Sequence, residues 1–385
     1  MSEDHDDDDA ADGSESQSGK KRALPAETDA KRAKVLASGA AYFASRSPLA
    51  GVMAGAHVNL NEQLTDILTQ LGINEKNSGN IVKANAYVKA VNSIKLHPKR
   101  LESGAEAQLL DGVGKKIALK IDEIIATGQL AKLESAKVDP KQVALNTLTT
   151  VHGVGPVTAK TWFAQGITDI DALQRAVADG SVKLTHEQTL GLRYLDAFAV
   201  KIPRAEMDQH AALIRATAAR VDATLRCEIV GSYRRGVAQS GDVDVLLMHE
   251  SYGRAEHQSK LKSPFVKRLV EELERAGYIT DTLNHGASKF SGVVHLGADG
   301  APRKIDIKNL PKEAYPFALL HFTGSGEMNR QMRAVALGKR LTLSEHGLQA
   351  VGQTGEKGDW IDLPDERAIF ELLGVAFLQP EERSL

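Results

Sequence analysis

The sequence predicts an α+β multidomain chain, with a helical half followed by an α/β half built around a mixed sheet. Three observations carry that expectation. From Asn59 to about Ala199 apolar residues recur at helical spacing, Gly and Pro punctuate short segments, and no convincing period-two run appears. Beyond Pro203 the pattern shifts to β-rich apolar runs separated by turn signals. The length, 385 residues, suits two or three domains, and 42% hydrophobic with 25% charged residues is close to the globular average.

Residues 1 to about 56 are rich in Ser, Gly, Ala and charge, and have almost no aromatic residues outside Tyr42-Phe43. Such a segment cannot bury enough surface to offset its ordering entropy, so it reads as a disordered tail. Within it, Lys20-Lys21-Arg22 and Lys31-Arg32-Ala33-Lys34 have the spacing of a bipartite nuclear-import signal, which implies an import receptor as partner and the nucleus as location. The first expected helix carries Leu60, Leu64, Ile67, Leu68 and Leu71, with Gly72 as its stop. In the second half, strands are expected at 227–230, 243–248, 292–296 and 305–307, with a helix over 265–276.

The formal net charge of -2, from 48 Lys and Arg against 50 Asp and Glu, argues at face value against a nucleic-acid partner. It is a sum of unlike parts. Residues 1 to 19 hold eight acids and no Lys or Arg, so the other 366 residues carry a net +6. Residues 76 to 137 hold eleven Lys or Arg against six acids, and 301 to 340 hold eight against three. Contact with phosphates depends on such local excess. No run approaches the ~18 apolar residues of a spanning helix, and the N-terminus is acidic rather than a basic-then-apolar signal, so neither a membrane protein nor a secreted one is expected. A single cysteine, Cys227, excludes an internal disulfide framework and a Cys-based zinc site.

The helical half contains an echo. Leu110-Asp111-Gly112-Val113-Gly114 through Ala118 and Val151-His152-Gly153-Val154-Gly155 through Ala159 share one frame. Glycines there permit a tight turn opening directly into a helix, whose first backbone N–H groups then converge on one spot, a ready anion site. This is the helix-hairpin-helix pattern, which grips a DNA phosphate without reading bases. The turns at Gly112, Gly114, Gly153 and Gly155 could also hold Na⁺ or K⁺ through their carbonyls.

The strongest constellation lies further on: Gly231-Ser232, then Asp242-Val243-Asp244, then Asp306 in Lys304-Ile305-Asp306-Ile307. Strand alternation puts Asp242 and Asp244 on one face and Val243 toward a core. Adjacent carboxylates repel unless a cation lies between them, and an all-oxygen set calls for a hard ion such as Mg²⁺. Asp306 from a neighbouring strand would complete a site for two ions, which can acidify an attacking hydroxyl and stabilise charge on a transferring phosphoryl group. Gly231 and Ser232, at a strand-to-helix turn, could cradle a nucleotide triphosphate, with Arg235 and the Ser240-Gly241 turn adding donors. The combination is a nucleotidyltransferase signature.

Gly231-Ser232-Tyr233-Arg234-Arg235-Gly236, Ser240-Gly241-Asp242-Val243-Asp244-Val245-Leu246-Leu247, and Phe322-Thr323-Gly324-Ser325 through Asn329 and Arg333 resemble family X DNA polymerases, most of all the beta type. The resemblance runs from about residue 59 to the C-terminus and includes both hairpins. It implies a polymerase that fills short gaps in base-excision repair, acting on gapped duplex DNA and deoxynucleoside triphosphates alongside other repair proteins. The implied domains are the tail (1–56), a helical 5'-deoxyribose-phosphate lyase domain (57–138), a helix-hairpin-helix DNA-binding subdomain (139–203), a catalytic palm (204–314) and a nucleotide-selection subdomain (315–385). Asp242 and Asp244 would bind both metals, while Asp306 would bind the catalytic one and accept the primer hydroxyl proton. Ser232, Arg235, Ser240 and Gly241 would hold the triphosphate. His321, Phe322 and Gly324 would lie against the sugar, Asn329 would touch the base, Arg333 the template strand, and Lys289 the minor groove.

The resemblance also implies lyase chemistry. An apolar stripe of Val113, Ile117, Ile121, Ile124 and Ile125 leaves Lys116 and Lys120 four apart on another face. Lys120 matches the family's Schiff-base lysine, and a lysine beside other cations can attack as a free amine. Lys83 and Lys116 resemble the residues that hold the 5'-phosphate, Tyr87 the neighbouring tyrosine, and Lys132 a substitute nucleophile. The sequence departs from its relatives at Lys201, Lys304 and Lys308, where arginines are usual, and lysine lacks the bidentate fork. It departs also at Val82, Leu119, Gly326, His321 and His346. A second reading is a family X member for end joining or template-independent addition; those carry an interaction domain before the lyase domain, for which a 56-residue polar tail is too short. A third is a non-enzymatic DNA-binding protein using the hairpins alone, which would have no reason to keep three aspartates in a metal-binding arrangement.

Overall fold

The computed structural model describes residues 59–258, 263–352 and 354–384. The tail and its import-like signal lie outside the described residues. From Asn59 to Val200 the described chain is helical, as the apolar periodicity requires: α1 (Glu62–Asn77), α2 (Ile81–Lys95), α3 (Gly104–Ala107), α4 (Lys115–Thr127), α5 (Ala131–Val138), α6 (Pro140–Leu148), α7 (Pro156–Ala164), α8 (Ile170–Ala178), α9 (His186–Arg193) and α10 (Leu195–Ala199). Polar caps start several of them: Asp139 precedes Pro140 at the head of α6, Asp169 caps α8, and Thr185 forms a reciprocal capping box with Gln188 on α9.

Two separate cores divide this half. Leu64, Leu68 and Leu71 of α1 pack with Tyr87, Ala90 and Ile94 of α2 and Ile117, Ile121 and Ile124 of α4. Leu145, Leu148, Val154, Ala159, Trp162 and Leu173 make the second. One expectation fails here, because α1 does not stop at Gly72 but continues to Asn77. A Cβ on Gly72 would lie 3.2 Å from the Tyr87 Cβ, so this glycine lets α2 cross α1 closely rather than ending the helix.

The second half opens with β1 (Ile202–Pro203) and α11 (Arg204–Val221), then β2 (Arg226–Ile229), α12 (Gly231–Arg234), β3 (Gln239–Ser240), β4 (Val243–Met248), α13 (Arg254–Gln258), α14 (Pro264–Arg275), β5 (Ile279–His285), β6 (Lys289–Val294) and β7 (Arg303–Asn309). Strands pair in the order β2-β4-β7-β6-β5; β4 and β7 run parallel and the other neighbours antiparallel, which makes the sheet mixed, as expected. Val243, Val245, Leu247, Ile305 and Ile307 face one side, against Met207 and Ile214 of α11 and Leu269 and Leu273 of α14. Alternation turns Asp244, Leu246 and Asp306 to the opposite side, where Leu246 packs with Val230, Leu310 and Ala318.

A last unit holds α15 (Tyr315–Thr323), α16 (Gly326–Gly338), β8 (Leu341–Ser344), β9 (Gly347–Val351), β10 (Lys357–Ile361) and α17 (Glu366–Leu373). Its antiparallel sheet, ordered β10-β9-β8, and its helices share a core of Phe317, Met328, Met332, Leu348, Ile369 and Phe370. Strand β5, the β1–β3 pair and all three strands of this last sheet are additions to the sequence reading. Expected strands shift slightly: β6 begins at Lys289 instead of 292, and β2 at Arg226 instead of 227. No helix among the described residues is long and apolar enough to cross a membrane.

Candidate metal centre and lysine cluster

Parallel pairing sets Asp244 on β4 directly opposite Asp306 on β7, and Asp242 stands just before β4. Carboxylate oxygens of all three lie within 4.8 Å of one another. Two full negative charges at such a separation repel by roughly 3 kcal/mol at the effective dielectric of a protein surface. Burial, then Asp242 and Asp306, push the Asp244 carboxyl up to about 7. Burial would also raise Asp306, but the Lys304 ammonium, a Ser291 hydrogen bond and Lys308 hold it below the ordinary range. Lys304 supplies the missing positive charge: its Nζ lies 2.6 Å from Asp306 Oδ2 and 3.6 Å from Asp242 Oδ2. A hard, all-oxygen donor set that already draws an ammonium onto itself fits a divalent cation.

The nearby turn has one shape that the aspartates permit. Gly231 has φ +60, and a Cβ there would meet Asp244 Oδ2 at 2.2 Å, so glycine is required for the strand to turn into α12 against the carboxylate. Ser232 lies on that helix, Ser240 is buried on β3, and Gly241 has the Lys201 ammonium close by. Arg235 is occupied by its own chain: Nη1 donates to Thr323 O at 2.6 Å and Nε to Ser384 Oγ at 3.2 Å.

The residues expected around sugar, base and template also cluster, partnered to each other. Asn329 Nδ2 donates to His321 O at 2.7 Å, and Arg333 Nη2 donates to His321 Nδ1 at 3.0 Å. The His321 ring stands edge-on to Phe322, over whose face lies the Lys308 ammonium, 4.1 Å from the centroid. Burial lowers the His321 pKa, and Arg333, Lys308 and His346 lower it further against the opposing Glu345. Gly324 caps α15, and Lys289 faces Lys308 across β6 and β7. Glu345, within 4.0 Å of both His321 and Arg333, escaped the sequence reading.

A second cluster lies beside the first core. Lys120 Nζ on α4 donates to Lys116 O at 2.9 Å, while Lys116 itself is exposed. Burial lowers the Lys120 pKa, and Lys132 and Lys116 add to the effect against Glu123 and Glu75. Glu75, 7% exposed, accepts from Lys132 Nζ through Oε1 and from Asn80 Nδ2 at 2.8 Å through Oε2, with Lys83 Nζ at 4.0 Å. Tyr87 is buried beside them; burial and then Glu75 raise its pKa. Structure therefore gathers Lys83, Tyr87, Lys120 and Lys132, and adds an acid the sequence reading missed. The signal was present, since Glu75 continues the Leu64, Leu68, Leu71 stripe at helical spacing. Val82 and Leu119 are 86% and 69% exposed.

The two hairpins are superposable in their hydrogen bonding. Val113 N bonds Leu110 O at 3.2 Å and Val154 N bonds Val151 O at 3.0 Å; Gly112 and Gly153 have φ +83 and +81. Gly114 and Gly155 occupy the N-cap positions of α4 and α7, with extended backbone, and a Cβ at either meets nothing within 4 Å.

Comparison with known proteins follows the same order along the chain. Family models match as a helix-hairpin-helix domain over residues 59–130, a SAM-like helix-hairpin-helix tandem over 106–162, the fingers domain of DNA polymerase lambda over 146–199, the DNA polymerase beta palm over 201–312 and the DNA polymerase beta thumb over 318–384. DNA polymerase lambda of Rattus norvegicus is 35% identical over 337 residues, covering 84% of this chain and 56% of the relative. DNA polymerase lambda of Arabidopsis thaliana is 31% identical over 339 residues, covering 85% and 63%. DNA nucleotidylexotransferase of Xenopus laevis is 26% identical over 328 residues, covering 78% and 63%. The chain thus spans less than two thirds of the length of these relatives. Matched in domain order from residue 59 to residue 384, it belongs to the family X DNA polymerases.

Proposed function

We propose that the chain is a template-directed DNA polymerase that fills short gaps during base-excision repair and also removes 5'-deoxyribose phosphate through a Schiff base. The observation that carries the polymerase reading is the register of β4 and β7, which sets Asp244 opposite Asp306 with Asp242 in reach. Asp242, Asp244 and Asp306 would hold two Mg²⁺ ions, which when bound acidify the primer hydroxyl and neutralise charge on the triphosphate. Asp306 accepts the hydroxyl proton. Ser232, Arg235, Ser240 and Gly241 hold the triphosphate, which requires Arg235 to exchange Thr323 O and Ser384 for phosphate oxygens. His321, Phe322 and Gly324 line the sugar, Asn329 meets the base, and Arg333 leaves His321 for the template strand. Lys289 follows the minor groove.

In the lyase step Lys120 attacks the sugar aldehyde as a free amine; water leaves, a base takes the C2' proton, and the C3'–O bond breaks with its electrons on the phosphate oxygen. Lys83 and Lys116 hold the 5'-phosphate, and Tyr87 stands beside the nucleophile. Both hairpins grip the DNA backbone: since neither chain geometry nor crowding requires glycine at 114 or 155, the open space in front of each suits a phosphate. Na⁺ or K⁺ at these turns, import into the nucleus through residues 20–34, and association with other repair proteins belong to the same proposal.

The test is a single-nucleotide-gapped duplex bearing a 5'-sugar phosphate, with and without Mg²⁺. Gap filling is expected to need Mg²⁺ and to vanish in Asp306→Ala, whereas borohydride trapping is expected without Mg²⁺ and to vanish in Lys120→Ala. Gap filling that survives loss of Asp306 would end the polymerase reading. Similarity to a DNA nucleotidylexotransferase gives a second reading some support, and primer extension without a template strand would favour it.

A further inference from the structure

We propose that Glu75 decides which lysine of the cluster is the nucleophile, by holding Lys132 as an ammonium ion and leaving Lys120 as the free amine. This rests on the lyase reading above and adds to it a selection between two amines. The Lys132 charge is close enough to Lys120 to depress its proton affinity, and either amine could in principle attack an aldehyde. What separates them is the acid each one meets.

Glu75 extends the buried stripe of α1, and its side chain is 93% buried by the packing of α2, α4 and α5 around that helix. A carboxylate so placed must be paired or give up its charge. Its two oxygens are divided among three donors: Oε1 takes Lys132 Nζ from the first turn of α5, and Oε2 takes Asn80 Nδ2, with Lys83 Nζ of α2 at 4.0 Å. Burial pushes Glu75 up, yet Lys132, Asn80 and Lys83 outweigh it and keep the group ionised. Lys132 is therefore tied as a cation to a buried anion, and imine formation needs a lone pair that such a cation lacks.

Lys120 has the opposite surroundings. Its Nζ meets the Lys116 carbonyl, an acceptor that a neutral amine satisfies as well as an ammonium, and it makes no ion pair among the described residues. The charges facing it are Lys132 and Lys116 on one side and Glu123 and Glu75 on the other. Glu123 accepts from Ala131 N at 2.6 Å, and Glu75, the weakest of the charges acting on Lys120, makes its own contacts with Lys132, Lys83 and Asn80. The same carboxylate thus fixes Lys132 as a cation, and that cation beside Lys120 helps to discharge it.

The experiment uses the whole chain and two probes. Brief reductive methylation with formaldehyde and borohydride, followed by peptide mass mapping, reads each free amine without DNA: the lysine forms the imine with loss of water and borohydride supplies the hydride that reduces it. At pH 7.5 we expect Lys120 to be labelled about tenfold or more ahead of Lys132, and this lead to fall below about threefold in Glu75→Gln, which keeps the shape and the Asn80 hydrogen bond. Borohydride trapping to abasic-site DNA is the second probe. Lys120→Ala should leave little adduct, and Lys120→Ala with Glu75→Gln should regain at least about tenfold of it, mapped to Lys132. Equal labelling of the two lysines in the unaltered chain overturns the proposal whether or not the variant folds, and so does an unchanged lead in Glu75→Gln. Labelling in the expected order with no trapping to DNA by any form would overturn the lyase reading and leave the selection standing.

Discussion

Lys304 shows how much a single side chain can hold in this molecule. It bridges Asp306 and Asp242, the place a divalent ion would take. An ammonium on a flexible stem neutralises the carboxylates as a point charge and competes with metal for the same oxygens. Lys304→Ala is therefore expected to lower stability without metal by about 1–3 kcal/mol, since half-buried acids lose a charged hydrogen-bond partner. The same variant should gain a larger upward shift in melting temperature than the parent when Mg²⁺ or Ca²⁺ is added. Equal metal-induced shifts in parent and variant would show that the lysine does not compete. Most of this site was readable beforehand because its chemistry is carried by spacing: alternation puts Asp244 on one face, and the Gly231 turn leaves room for its carboxylate. Glu75 and Glu345 were not read, because an acid on a helix or in a turn looks solvated until the packing around it is known.

At the level of elements, the strands that were legible are the buried ones. β4 and β7 carry near-continuous or alternating Val, Ile and Leu, whereas β5 is an edge strand with only Ile279 and Leu283 buried, and β8 to β10 bury one face on a small core. Gly72 misled for a related reason, since close helix crossing and helix termination both select glycine. Two predictions belong here. Gly114→Ala and Gly155→Ala put a methyl into open space at backbone angles that alanine adopts, so thermal stability should stay within about 0.5 kcal/mol of the parent or rise slightly. Affinity for gapped duplex should nonetheless fall, because the methyl stands where a phosphate approaches; unchanged binding in both variants would remove the hairpins from the DNA interface. The second concerns the joint between α11 and β7. Glu206 takes two hydrogen bonds from the buried Arg303, at 2.6 and 2.9 Å, and Arg303 also donates to Val200 O at 3.0 Å. That pairing holds the Glu206 carboxyl below its ordinary 4.5, while burial holds His210 below its ordinary 6.5. Both are depressed in the folded state, so the unfolded chain binds the extra proton in each case and stability is lost as pH falls. The loss begins near pH 6.5 with His210 and steepens below 4.5 with Glu206, by up to about 1.4 kcal/mol per pH unit for each group. Melting temperatures across pH 7.5 to 4 should show both stages, and His210→Gln should abolish the first while leaving most of the second, which Arg303 dominates.

For the whole molecule the decisive quantity is where charge lies along the chain. A net charge of -2 would give weak long-range attraction to DNA if it were spread evenly, but the first 19 residues carry eight acids and the remainder carries +6. Within that remainder the Lys120 cluster, the two hairpin turns and the 301–340 segment are the proposed phosphate-facing surfaces, and each contact would release condensed counterions from the duplex. With about four phosphates neutralised, log K should fall against log salt with a slope of roughly -3 to -4. An acidic segment on the same chain would compete with the duplex for those surfaces, at a range set by screening. Removing residues 1–19 is accordingly expected to tighten binding to a gapped duplex several-fold at ~50 mM salt, and to change it little at ~300 mM, where the Debye length has dropped to about 6 Å. Fluorescence anisotropy over that salt series, with full chain and truncation side by side, measures both slopes. A truncation that shifts affinity equally at every salt would mean that residues 1–19 act through something other than charge, and a slope near zero for either protein would mean that the local basic surfaces do not carry the DNA.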